Sequence, residues 1–255
     1  MTRVISRRAV VGTLASGTLL AGCGRLDNTA PANALLQLSD GLTLRAQRLL
    51  LSQRPLVREL AAADISTHFP TNGTVLPTGD YYQRLLENDF KDWKLKVHGL
   101  VERPLAWSLE ELRAMPSRTQ ITMHNCDEGW SAIGQWTGVQ LGRVLQEAEL
   151  APEARYVVFH CIDELVRTPD RSGFYYESLD LFDALHPQTI LAYGMNGNPL
   201  PVRHGAPLRL RVERQVGYKH AKYLTRIEAV ERLDRIGKGR GGFWEDRGYQ
   251  WYAGL

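Results

Sequence analysis

At 255 residues with 44% hydrophobic content, the chain can close one substantial core with room for a small appendage. Its net charge of +3 comes from basic residues spread along the sequence, which excludes the clustered basic face of a nucleic-acid binder. Three cysteines, at positions 23, 126 and 161, are too few for a disulfide scaffold, so each needs its own explanation.

Ser6-Arg7-Arg8 precedes an apolar run of small residues from Ala9 to Leu20 that closes on Leu20-Ala21-Gly22-Cys23. A charged start, a short apolar stretch and a small-residue cleavage site predict an export signal over 1–22; a membrane span would need roughly 20 apolar residues. The paired arginines point to twin-arginine export, a route suited to proteins that fold around a cofactor before crossing a membrane. Leu-Ala-Gly-Cys also resembles a bacterial lipoprotein box, with Cys23 as the lipid-bearing residue; the plainer alternative is a cleaved signal in which Cys23 is incidental. Residues 23–63 then read as a polar tether followed by an N-terminal helical segment. Leu42, Leu49, Leu56 and Leu60 recur there at near-helical spacing, in one or two helices over Leu35–Ala63 broken at Pro55.

The main domain is expected over 64–255. Phe69-Pro70-Thr71-Asn72-Gly73 has turn chemistry, and Asp80–Asn88 suits a short helix. Trp93, Leu95 and Val97 alternate with lysines and His98, a strand pattern. Ser108 caps a helix through Met115, with Glu111 at the capping-box position and Pro116 as the stop. Gln120–Met123 predicts a strand that feeds a loop around Cys126; Thr137–Leu150 predicts a helix, Tyr156–Cys161 a strand, Ser178–Leu185 a short helix and Thr189–Tyr193 a strand. After the Asn196-Gly197-Asn198-Pro199 turn, Leu208, Leu210 and Val212 alternate with Arg209, Arg211 and Glu213, which predicts one apolar and one polar strand face. Tyr223–Val230 is a further strand, and the tail from Gly237 interleaves glycines with aromatics. The mixture implies α+β, with several loops longer than ordinary connections require.

Cys126 stands in the most crowded polar stretch of the chain, Met123-His124-Asn125-Cys126-Asp127-Glu128-Gly129-Trp130-Ser131. A thiolate is both a soft metal ligand and a nucleophile, whereas a buried thiol with no reactivity would sit among apolar neighbours. Gly217-Tyr218-Lys219-His220-Ala221-Lys222-Tyr223 combines glycine for close backbone approach with lysine as a mobile charge suited to phosphate; a solvated basic strand end would look the same. His204-Gly205-Ala206-Pro207-Leu208-Arg209 reads either as an anion clamp or as a solvated arginine. Asn72 can serve its own turn or a ligand, and His160-Cys161 reads from spacing alone as a core histidine and a buried thiol. The sequence has no phosphate loop, nucleophile elbow or His-Glu-x-x-His.

Together these stretches, with Leu95-Lys96-Val97-His98-Gly99-Leu100-Val101-Glu102-Arg103-Pro104-Leu105 and Trp136-Thr137-Gly138-Val139, resemble the sulfite oxidase family of molybdopterin enzymes. The resemblance runs over roughly Ile65–Val230 and is strongest to the bacterial branch that contains the catalytic subunit of periplasmic methionine sulfoxide reductase. It implies an α+β sulfite-oxidase-type molybdopterin-binding domain of mixed sheets with surrounding helices and long loops. It also implies that Cys126 is the thiolate ligand to molybdenum beside the two sulfurs of one pyranopterin. By the same resemblance Asn72, Arg209, Gly217, Tyr218 and Lys219 hold the pterin and its phosphate. His204 replaces the asparagine common in the reductase branch, and His160 falls where those reductases carry a pterin-contacting threonine. Sulfite oxidases follow their cysteine with an arginine-bearing loop. Asp127 and Glu128 stand here instead, and two carboxylates beside the metal would repel sulfite.

The expected protein is thus an exported molybdenum–pterin oxidoreductase performing two-electron oxygen-atom transfer, the reduction of a small S- or N-oxide. Cys126 holds the metal, and Asp127 and Glu128 shape the pocket or relay protons. With no haem attachment motif in the chain, electrons are expected from a partner such as a membrane haem protein or a cytochrome. The expected location is the periplasmic or cell-surface side of a bacterial membrane, with membrane contact through a lipid on Cys23. Three alternatives stand beside this reading: a sulfite-oxidising dehydrogenase of the same fold, a hydrolase in which Cys126 with His124 and His160 binds zinc or acts as nucleophile, and a non-catalytic surface lipoprotein with a structural cysteine.

Overall fold

Two five-stranded sheets carry the structure. The computed structural model describes residues 56–169 and 172–254, which fall within one unit, Arg54–Leu255. The export signal, Cys23, the tether and the helices expected up to Pro55 lie outside the described residues. The described end of that helical segment departs from expectation: residues 56–61 form no helix, and only a 3-10 turn, Ala62–Asp64, follows. Leu60 N–H instead donates to Ile121 O (2.9 Å) and Val57 N–H to the Gln188 side chain (2.7 Å), so the segment is tied in extended form to the strands beneath it.

The first sheet has the order β2-β1-β10-β5-β6, made from β1 (Lys94–Gly99), β2 (Leu105–Ser108), β5 (Tyr156–Glu164), β6 (Phe174–Asp180) and β10 (Leu224–Val230). The β1–β10 pair is parallel and the others antiparallel. Lys94 and Lys96 are exposed while Leu95 and Val97 are buried, the strand period expected of one face on a core. The second sheet runs β3-β4-β7-β8, from β3 (Ser117–Asn125), β4 (Ser131–Gln140), β7 (Ile190–Met195) and β8 (Asn198–Pro199), with β9 (Arg209–Arg211) paired to β7. Among the described residues four helices join them in an α+β fold: α1 (Asp80–Glu87), α2 (Leu109–Ala114), α3 (Leu141–Ala148) and α4 (Leu181–Ala184). Among the described residues, no helix is long and apolar enough to cross a membrane.

Two expected helices begin later than the sequence pattern suggested. The stretch Thr137–Gln140 continues β4, because its backbone is bonded on both sides, by β3 and by β7. Gly138 sits where the register with β7 shifts, and any side chain there would collide with the Leu191 carbonyl. The helix proper, α3, buries Leu141, Val144, Leu145 and Ala148 on one stripe and ends at Glu149, whose φ of 54° breaks the helical path. Likewise Ser178–Asp180 ends β6, and only the single turn α4 follows, capped by the Asp180 side chain on Asp183 N–H (3.0 Å). The strand before Cys126 is longer than expected and pairs with β4 along its whole length, from Ser117↔Val139 to Asn125↔Ser131. The Cys126 loop is thus the tip of a long hairpin anchored in a sheet.

One core gathers Trp93, Leu95, Val97, Phe159, Ile227 and the α3 stripe between the sheets. Each such buried side chain contributes about 1.5–3 kcal/mol against conformational entropy. A second cluster, Trp136 with Ile190, Ala192, Met195 and Leu200, sits under β4 and β7, and Phe69 packs on it. The polar strand face expected at β9 does not exist. Arg209, Arg211 and Glu213 are as buried as Leu208, Leu210 and Val212, because both faces of this strand are covered. Those buried charges set the character of the site.

At the surface, Ser108 accepts from Glu111 N–H (3.2 Å) while the Glu111 carboxylate accepts from Ser108 N–H (2.7 Å), the reciprocal cap expected of α2. Ser108→Ala should therefore lower stability by about 1 kcal/mol in urea unfolding; an unchanged midpoint would show that α2 draws its stability from packing alone.

Candidate active site

Cys126 follows the last residue of β3, and its loop is closed by two backbone bonds, Cys126 N–H to Trp130 O (2.9 Å) and Gly129 N–H to Cys126 O (3.1 Å). Gly129 takes a φ of 90°, which a residue with a side chain adopts only with strain. The thiol is buried, with Asp127 Oδ1 3.6 Å from its sulfur. Burial, and secondarily the Asp127 and Glu128 carboxylates, raise its pKa to about 11. A thiolate at neutral pH therefore needs a nearby cation, as a bound metal ion would provide.

Beside the loop lies a cleft enclosing about 530 Å³, part of it open to solvent. The loop Asn72-Gly73-Thr74 forms one side, Asp127 and Glu128 stand exposed at the mouth, and Gly217, Tyr218, His220 and Lys222 form another side. Gly217 is needed there: a Cβ at this position would lie 3.0 Å from His124 Nε2 and 3.1 Å from Cys126 Cα. Its backbone therefore lies directly against the cysteine loop.

Two cations in this region have no carboxylate at ion-pair distance among the described residues. Arg209 is buried and donates to the carbonyls of His204 (3.0 Å) and His220 (3.4 Å), leaving Nε without a partner; its guanidinium lies 4.9 Å from the Trp136 ring. Burial, then Arg211, pushes the pKa of Arg209 below the ordinary arginine range. Lys222 lines the cleft and is held only by carbonyls, those of Asn72 (2.7 Å), Thr74 and Arg203 (3.2 Å). Burial, then Arg209, lowers Lys222 to about 7, while Asp163 opposes the shift. Asp163, also in the cleft wall, is raised to about 6 by burial, and its Oδ1 has no partner.

Asn72, Asp127, Glu128, Gly217 and Tyr218 meet at the cleft, with Cys126 against it and Arg209 behind His220. His204 lies in a 3-10 turn, Val202–His204, edge-on to Phe69 (5.5 Å between ring centroids); burial, then Arg209, lowers its pKa to about 4, so it is neutral under ordinary conditions. Two of the sequence-predicted residues stand elsewhere. Lys219 is fully buried between Glu177 and Glu245 (2.8 Å to the latter), so its charge is already matched. His160 pairs with Glu228 (2.8 Å) within the first sheet. No group of three His, Cys, Asp or Glu side chains among the described residues could hold a metal ion, which removes the zinc site imagined for Cys126, His124 and His160.

Lys222, Asp163, Thr74 and Trp244 also line the cleft, and none of them stood out by sequence alone. Lys222 belongs to the Gly217–Tyr223 stretch that suggested phosphate, but which of two lysines turns to the cleft depends on the fold. No local signal marked Asp163 or Trp244.

A soft thiol that needs a cation, beside a cleft lined by Lys222 and a close-lying glycine backbone, with Arg209 buried behind His220, suits an anionic, metal-bearing cofactor. The comparisons identify the class. Residues 83–235, more than half of the chain, match the oxidoreductase molybdopterin binding domain, and the chain belongs to that family. It is therefore a molybdopterin-dependent oxidoreductase. A protein of Azospira oryzae named as a candidate protein-methionine-sulfoxide reductase subunit is 36% identical over 95% of this chain and 84% of its own length. The protein-methionine-sulfoxide reductase catalytic subunit of Xanthomonas axonopodis pv. citri is 39% identical over 55% of this chain; the match spans 46% of that relative. Among solved structures, the sulfane dehydrogenase SoxCD of Paracoccus pantotrophus aligns with a TM-score of 0.49 at 23% identity, over 56% of this chain and 39% of that one.

The residues present fit the cofactor. Cys126 offers the sulfur, Gly217 admits close approach, and Arg209 Nε and the Lys222 ammonium offer positive charge to a phosphate. In the cofactor-free chain the depressed pKa of Lys222 has a consequence for stability. The unfolded chain, with an ordinary lysine pKa near 10.5, binds this proton more strongly than the native one, so Lys222 makes stability rise as pH increases from about 7 to 9. Lys222→Met should flatten that rise in denaturant midpoints measured across this range; an unchanged slope would contradict the assignment.

Proposed function

We propose that the protein is the catalytic subunit of an exported molybdenum–pterin reductase acting on S-oxides of the methionine-sulfoxide type. The observation that carries this reading is the order of charge in the cleft. Buried Lys222 lines the cleft and buried Arg209 stands behind it, donating to His220 O, while the carboxylates of Asp127 and Glu128 are exposed at the mouth. The deep charge suits a phosphate that stays, and the outer charge disfavours an anionic substrate such as sulfite while admitting a neutral oxide. The names of the relatives support the choice of S-oxide.

When bound, the molybdenum–pterin supplies two-electron oxygen-atom transfer. The chain's own residues prepare for it. Cys126 would hold the metal on a hairpin tip fixed by the two backbone bonds of its loop. Arg209, Lys222 and the Gly217–Tyr218 backbone would hold the phosphate and pterin, with Asn72 on the facing loop. Lys222 and Tyr223 pin that loop by donating to Thr74 O, the latter at 2.9 Å. Glu128 is itself oriented by Trp130 Nε1–H (3.1 Å), so the mouth keeps its charge in place. Asp163, raised by burial and facing the cleft, is suited to store one of the protons that reduction of an oxide to water consumes. Electrons would come from a membrane haem protein or a cytochrome. Export by the paired arginines at Arg7-Arg8, with lipid on Cys23, would place the enzyme on the periplasmic or outer side of a bacterial membrane.

Viologen-driven assays of molybdenum-loaded protein should show reduction of S-oxides, and assays with ferricyanide as electron acceptor should show little oxidation of sulfite. Sulfite should inhibit weakly, and Asp127→Asn with Glu128→Gln should tighten that inhibition several-fold, most at low ionic strength. Rapid sulfite turnover by the wild type would overturn the reading.

A further inference from the structure

Residues 237–254 lie beyond the segment that matches the family, yet they build part of the cleft. They are fastened from several sides. Lys219 joins Glu245, in the 3-10 turn Glu245–Arg247, to Glu177 of β6. The Tyr218 hydroxyl donates to Gln250 O (2.6 Å), Val216 N–H to Ala253 O (2.9 Å), and Phe243 N–H to Tyr176 O (3.0 Å). Trp251 Nε1–H donates to Ser178 Oγ (2.8 Å). The buried Lys219 charge therefore has a structural explanation: it clamps this strap against the turn that presents Gly217 and Tyr218.

The strap meets the cleft at one aromatic ring, with a second beside it. Trp244 lines the cleft, Tyr249 packs on Trp244 (5.3 Å between centroids), and Tyr218 meets Tyr249 edge-on (5.2 Å). Phe243, next to Trp244, is fully buried and anchors the strap in the core, whereas Tyr249 is 42% exposed and Trp244 only partly buried. Trp244 thus offers part of its ring to the cleft, and Tyr249 an exposed ring next to it. Aromatic rings bind thioether-like sulfur and alkyl groups favourably, and the Asp127 and Glu128 carboxylates that share this cleft reject anions.

We propose that the C-terminal strap is the substrate-recognition wall of the cleft, with Trp244 and Tyr249, backed by Tyr218, receiving the alkyl or aryl substituent on the sulfur of a neutral sulfoxide. This rests on the S-oxide reading of the site. It gives the buried ion triad a purpose beside the core packing of Phe243 and Trp244: together they hold a glycine-rich tail outside the family segment in place against the cleft.

The test uses the molybdenum-loaded full chain and its Trp244→Ala and Tyr249→Ala variants. For methyl phenyl sulfoxide, KM should rise about tenfold, the loss of roughly one good aromatic contact, with kcat changed less than about twofold. For dimethyl sulfoxide, which has no large substituent, KM should change little, and Trp244→Phe should restore most of the loss. Molybdenum content should match the wild type, while Trp244→Ala should lower the thermal midpoint by the packing it loses and Trp244→Phe should keep most of it. An equal change for both substrates, or no change, overturns the proposal; so does loss of molybdenum from the variants, which would make the rings a support for the cofactor. Calorimetric titration with methyl phenyl sulfone, which binds without needing turnover, separates this from the function itself. If the wild type turned over no S-oxide yet bound the sulfone through Trp244 and Tyr249, the wall would stand and the reductase reading would fall. Sulfone binding equal in wild type and variants would remove the wall.

Discussion

The site depends on two positive charges that the protein buries without matching. Taking an ion out of water costs several kcal/mol unless a partner repays it. Elsewhere the chain supplies that partner: Arg211 is held by both oxygens of Glu213, and Lys219 has two carboxylates. Arg209 and Lys222 have only carbonyl oxygens and an aromatic face. An anion with a phosphate's charge would complete them, and the Arg209 charge would favour the thiolate form of Cys126 that burial opposes. Cofactor binding and the stability of this region are therefore one equilibrium.

The separation of charge along the cleft gives the functional reading its direction. Attraction at depth and repulsion at the mouth act on different molecules, one resident and one passing. Because Asp127 and Glu128 are exposed, their effect is long-ranged and weakened by salt, whereas Arg209 acts at contact in a drier setting. The strap adds a third element, an aromatic surface that makes no demand on charge.

Much of this was legible in the sequence because the signals were local. The crowding of polar residues around Cys126 marked the hairpin tip, the alternation at Leu95 and Val97 marked β1, and Ser108 with Glu111 marked the start of α2. The failures had tertiary causes. Thr137–Gln140 runs straight into the α3 stripe, which drew the expected helix back over it; its Thr, Gly and Val are weak helix formers, and the bonds from β3 and β7 complete it as strand. Arg209 and Arg211 alternate with apolar residues as on a half-exposed strand, and nothing in that pattern says that both faces are covered. Lys219 and Lys222 are three residues apart in one stretch; which of them faces the cleft is set by Glu177 and Glu245, distant in sequence. The tail from Gly237 has no periodicity at all, so its place against Gly217–Lys219 could not be read from its composition.

The central claim is a bond between the sulfur of Cys126 and molybdenum, and X-ray absorption at the molybdenum edge tests it most directly. Protein purified from a molybdenum-replete host should show one more sulfur in the metal's coordination shell than Cys126→Ser protein reconstituted with the same cofactor. Identical sulfur coordination in the two, with molybdenum bound in both, would contradict the account.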